Sequence, residues 1–71
     1  MTAMDISYRY AGGLDDQQIR ALARLPDVYG IRALKLDEAA KLIAIEYDAT
    51  RLDAARVAAL VRGCGVAAQP A

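Results

Sequence analysis

Histidine, phenylalanine and tryptophan are absent from this chain, cysteine occurs once, at Cys64, and proline only twice. With no imidazole, a single thiol and serine only at Ser7, the chain offers almost none of the usual nucleophiles and no histidine for acid–base chemistry, and a non-catalytic protein is expected. One cysteine excludes an intrachain disulfide. Met1 to Tyr10 have neither the basic stretch nor the apolar core of a secretory signal, so a reducing cytoplasm is the expected setting. Neither sign of charge is in excess: 9 basic residues balance 9 acidic ones, which leaves no global attraction for nucleic acid or anionic lipid, and neither is expected as a partner. No apolar run approaches the roughly 18 residues of a membrane-spanning helix, so no membrane insertion is expected.

What the chain does have is apolar material. Hydrophobic residues make up 56% of 71 residues, enough for one core and too few for two, so a single domain over residues 1–71 is expected. Seven of the nine basic residues are arginine, a bias that fits a GC-rich bacterial genome and implies no mechanism.

From Met4 to Tyr10, Ile6, Tyr8 and Tyr10 alternate with Asp5, Ser7 and Arg9, the period of a half-buried strand. Ala11, Gly12 and Gly13 break it. Asp15 followed by Gln18 is a capping box, with Leu14 and Ile19 placed to staple across it, and the spacing predicts a helix to about Leu25, stopped by Pro26, with Ile19, Leu22 and Ala23 inward. Val28 to Leu36 reads as a second strand whose apolar positions Ile31, Leu34 and Leu36 change parity midway, as a bulge requires; Gly30 sits where that distortion is cheap. Asp37 to Ala40 turns the chain into a third strand, Lys41 to Asp48, with Ile43, Ile45 and Tyr47 on one side.

Thr50 with Asp53 resembles a second capping box, and Val57, Leu60, Val61 and Cys64 fall at helical spacing until Gly63 and Gly65 end the helix. Val66 to Ala68 leaves room for a short last strand before Pro70. The order β-α-β-β-α-β predicts an α+β, ferredoxin-like sandwich: an antiparallel sheet with two helices on one face, the other face showing Asp5, Ser7, Arg9, Lys35, Leu42, Ala44 and Glu46.

The run Asp27-Val28-Tyr29-Gly30-Ile31-Arg32-Ala33-Leu34-Lys35-Leu36-Asp37 is similar to the "xVxGVxxVxVD" of heavy-metal-associated, copper chaperone-like domains. Ile43 to Asp48 resembles their "VxVxYD", and Leu60 to Val66 their "hhxxxGY". The resemblance spans nearly the whole chain and implies the same βαββαβ fold. In that family the first loop carries Met-x-Cys-x-x-Cys, two thiolates at a helix N-terminus that bind soft Cu(I) or Hg(II). Here the window reads Ala11-Gly12-Gly13-Leu14-Asp15-Asp16-Gln17-Gln18, with no cysteine, so the family's metal site is not carried over and no cofactor is expected. Asp15 and Asp16 are too few ligands for a hard cation and read as first-turn capping. Gly12 and Gly13 next to two aspartates repel phosphate and read as a flexible loop.

Cys64 is a weak metal candidate; its place on the apolar face of the second helix suits a buried small hydrophobe. Met1 and Met4 are poor thioether candidates, and Tyr10 and Tyr29 read either as core tyrosines or as partner anchors exposed near the first loop. The favoured expectation is an interaction or regulatory module, a degenerate relative of metallochaperone domains that meets a protein partner or its own copy through Tyr10, Gly12, Gly13, Leu14, Asp15 and Asp16. The alternatives are metal binding through Cys64, shared between two protomers, and a small-molecule-sensing βαββαβ regulatory domain.

Overall fold

The computed structural model describes residues 2–71. Four strands form one antiparallel sheet in the order β2-β3-β1-β4: β1 is Ala3–Tyr10, β2 Ile31–Asp37, β3 Leu42–Asp48 and β4 Ala68–Pro70. Helix α1, Asp16–Ala23, follows β1, and helix α2, Ala54–Gly63, follows β3. This is the α+β, ferredoxin-like arrangement that the apolar spacing predicts.

Alternation in the strands does what period two dictates. Tyr8 and Tyr10 of β1 and Ile43, Ile45 and Tyr47 of β3 are buried, with Tyr8 opposite Ile43 and Ile6 opposite Ile45. They pack against Leu22 of α1, Val57 and Val61 of α2, and Leu25 and Val66 from the connections. Removing each such side chain from water contributes about 1.5–3 kcal/mol, and this burial holds the helices to the sheet. On the opposite face Asp5, Ser7, Arg9, Lys35 and Ala44 are exposed, and Leu42 and Glu46 are half-buried.

The parity change in β2 is a bulge. Ile31 pairs with Tyr47 but Ala33 already pairs with Glu46, so Arg32 is the extra residue and Leu34 and Leu36 return to the core side. Arg32 then reaches across to Glu46 at 3.2 Å.

Several boundaries differ from the expectation. Helix α1 ends at Ala23, not near Leu25, because the Arg24 amide turns back to Ala21 at 3.2 Å and the chain tightens into a 3-10 turn, Leu25–Asp27. Pro26 sits at the start of that turn, where its missing N–H costs nothing, and does not itself stop the helix. Leu25 fills the inward place and Ala23 is exposed. The second strand begins at Ile31, because Val28 to Gly30 complete the turn.

The cap of α2 is Asp53, whose carboxylate accepts from the Arg56 amide at 2.8 Å. Thr50 does not cap. Its hydroxyl and amide both bond the Asp48 carboxylate, at 2.6 and 3.0 Å, and so tie down the loop ahead of α2. The last strand is displaced two residues to Ala68–Pro70; Pro70 belongs to it, which an edge strand tolerates.

Candidate docking site at the first loop

The capping box reads as the sequence predicts and fixes the loop between β1 and α1. Asp15 is the N-cap: its carboxylate accepts from the Gln18 amide at 2.7 Å while the Gln18 side-chain oxygen accepts from the Asp15 amide at 2.9 Å. The same Gln18 donates from Nε2 to the Gly65 carbonyl at 2.7 Å, which ties the start of α1 to the end of α2. Gly12, with φ of 75°, makes the left-handed turn out of β1.

Because Arg9 pairs with Leu42, the β2–β3 turn returns beside this loop, and the Tyr10 amide donates to the Lys41 carbonyl at 3.1 Å. Tyr10, Gly12, Gly13 and Leu14 therefore wall one concavity of about 430 Å³ together with Glu38 and Lys41. Glu38 and Lys41 are the residues that sequence reasoning missed, since only strand pairing brings them there. Lys41 holds φ of 55°, the left-handed region that few side chains adopt. The tyrosine body is buried and its hydroxyl titrates above the usual range, first because of burial and then because Glu38 and Asp37 oppose a phenolate.

The remaining candidates lie elsewhere. Asp16 is an exposed first-turn residue that lines no part of this hollow. Asp15 borders a second depression with Gln17, Gln18, Gly63, Cys64 and Gly65. Cys64 is not inside the helix but is its C-cap, half-buried, and the thiol donates to the Leu60 carbonyl at 3.4 Å. Burial raises its pKa, which disfavours the thiolate that a soft metal needs.

Tyr29, expected near the first loop, is 70% exposed at the opposite end of the sheet, in the turn before β2. Met4 is 47% exposed on β1, and Met1 lies outside the described residues. Among the described residues, no group of three or more cysteine, aspartate or glutamate side chains is placed to hold a metal ion.

The architecture is the α+β, ferredoxin-like fold that the sequence resemblance implies. Solved structures with this fold include oxidized MerP from Ralstonia metallidurans CH34, with a TM-score of 0.79 and 8% identity over 97% of each chain. A putative copper-ion-binding protein from Bacillus anthracis superposes with a TM-score of 0.78 and 12% identity over 96% of this chain and 97% of its own. The N-terminal domain of PacS from Synechocystis PCC6803 gives 0.69 and 14% over the same shares, 96% and 97%. At such identities the likeness is one of fold. No protein-family model matches the chain, and no curated protein matches it in sequence. No helix among the described residues is long and apolar enough to cross a membrane.

Proposed function

We propose that this chain is a non-catalytic interaction module, one cytoplasmic domain over residues 1–71, that docks a protein partner or a second copy through the first-loop end. The observation that carries this reading is the hollow walled by Tyr10, Gly12, Gly13, Leu14, Glu38 and Lys41: the scaffold of a metallochaperone-type domain keeps a shaped loop there without a thiol pair. Apolar Leu14 beside a carboxylate and an ammonium suits a protein surface better than a soft ion. The neighbours in fold include a protein described as a putative copper-ion-binding protein, which makes metal retention through Cys64 the rival reading. Against it stands the thiol's burial and its engagement with Leu60.

The test is site-specific photocrosslinking in the native host from Gly13, where an added side chain meets nothing within 4 Å. A discrete adduct that disappears with Leu14→Glu and with Lys41→Glu, while both variants keep the wild-type circular dichroism, supports docking at the loop. Absence of any discrete adduct, with a monomer at cellular concentration, removes the reading. In parallel, anaerobic native mass spectrometry with Cu(I) and with Zn(II) against competing chelators is expected to show no specific complex. Metal-dependent dimers lost in Cys64→Ala decide for the rival.

A further inference from the structure

At the end of the sheet remote from the first loop, a groove of about 530 Å³ runs between the turn before β2 and the start of α2. Its floor is apolar: Val28, Leu52 and Leu60, each only partly buried against the core. Its rim holds Tyr29, Arg51 and Arg56. Tyr29 is 70% exposed, yet it is not loose: the Arg51 guanidinium lies 4.4 Å from its ring centroid, within cation–π range. Arg51 is in turn held at 3.3 Å by Asp48, a carboxylate that is itself buried and fixed by Thr50. Asp48, Arg51 and Tyr29 thus form a stack that leaves one aromatic face open to solvent.

The turn beneath is equally constrained. Gly30 has φ of 101°, and its carbonyl accepts from the Asp48 amide at 2.7 Å. Tyrosine beside arginine over an apolar floor is the composition in which binding energy concentrates at protein interfaces, and a ring already stacked on a guanidinium has less side-chain entropy to lose.

Charge decides the occupant. Arg51 is paired with Asp48, and the Asp53 carboxylate on the groove wall keeps its charge but accepts from the Arg56 amide at 2.8 Å and pairs with no side chain among the described residues. Arg56, exposed on the first turn of α2, has no ion pair among the described residues. The groove therefore offers one guanidinium with no ion-pair partner among the described residues, a flat aromatic wall and an aliphatic floor. We propose that it is a second docking site, for a segment of a partner protein that sets an aliphatic side chain on Val28, Leu52 and Leu60 and a carboxylate against Arg56. A nucleic acid strand, which also stacks on tyrosine, is disfavoured because the rim supplies a single unpaired cation and the chain no net charge.

Three probes added to the isotope-labelled full chain, followed by amide chemical shifts, test the assignment: a blocked peptide of alternating leucine and glutamate, its lysine twin, and a decamer of thymidylate. The acidic peptide is expected to move the amides of Tyr29, Leu52, Arg56 and Leu60 with saturation, and to bind about tenfold more weakly after Arg56→Glu or Tyr29→Ala. Arg56 is the third residue of α2, where glutamate completes a capping pattern and complements the helix dipole, so loss of binding in Arg56→Glu is not loss of fold. The proposal is overturned by no saturable shift at millimolar peptide, by equal binding of the lysine twin, by shifts confined to the first loop, or by tighter binding of the oligonucleotide in the groove.

Discussion

Gly30 shows how one residue type is demanded twice over. Its φ of 101° is closed to side chains, and a Cβ there would stand 2.7 Å from Leu52 Cγ. Gly30→Ala is expected to cost about 2–4 kcal/mol from backbone strain and overpacking together. In urea unfolding, Gly13→Ala serves as the control: nothing lies within 4 Å of its added methyl, and a change within about 0.5 kcal/mol is expected. Equal effects at the two sites would contradict the close approach of Leu52. Tyr8 presents the reverse case. It is 2% exposed, and its hydroxyl has no hydrogen-bond partner among the described residues. Burial, and after it the neighbouring Tyr47, pushes its pKa up. Removing an unsatisfied buried hydroxyl relieves its desolvation, so Tyr8→Phe is expected to stabilise the fold by about 1 kcal/mol.

At the scale of elements, the loop from β3 into α2 depends on Asp48. Its carboxylate accepts from the Thr50 hydroxyl and amide and pairs with Arg51, and the Thr50 bonds, followed by Arg51, hold its pKa below the ordinary value against the opposing effect of burial. A depressed pKa in the folded state means stabilisation that is present above the unfolded-state pKa and lost as pH falls through the folded one. Thr50→Val removes the hydroxyl bond at nearly constant shape. Thermal unfolding should therefore show Thr50→Val less stable than the parent at pH 7, with the gap closing as the pH drops from about 5 toward about 2. A gap independent of pH would mean that the carboxylate is not the partner that matters.

The same loop marks where the sequence stopped being legible. Thr50 and Asp53 have the spacing of a capping box, but Asp48 captures Thr50 first, and the helix opens three residues later on Asp53. Such a competition between two nearby acceptors is decided in space. By contrast, the Asp15–Gln18 box was legible because it is set by residues adjacent in sequence, and the bulge in β2 was legible from the parity change of Ile31 and Leu34, although it falls at Arg32 and not at Gly30. β4 was misplaced because three residues carry no alternation; its position is set by pairing Tyr10 with Ala68 and Tyr8 with Pro70. The first-loop hollow was legible for Tyr10, Gly12, Gly13 and Leu14, which share one segment, and not for Glu38 and Lys41, which arrive through the hairpin.

For the molecule as a whole, one cluster of buried apolar and tyrosine side chains joins every strand except the short β4 to both helices, and the single cysteine can form no intrachain disulfide. Folding is thus expected to be independent of metal and of redox state. Calorimetry with a strong chelator and a phosphine reductant present should give the same melting temperature as without them; a fall of more than about 4 °C, equivalent to about 1 kcal/mol in a chain of this size, would show a ligand or crosslink contributing to the fold. The two concavities lie at opposite ends of a body whose longest dimension is 34 Å, so both can be engaged at once.

The short edge strand carries one last consequence, for a chain under load. β4 runs antiparallel to β1, and Ala71 donates to Ser7 at 3.0 Å, so the chain enters β1 and leaves β4 toward the same end of the sheet. Tension applied ahead of Ala3 and beyond Ala71 falls on the last rung alone, then on the next, and never on all of them in parallel. The sheet therefore opens from β4 like a zipper, at low force, while the hairpin of β2 and β3 stays shut.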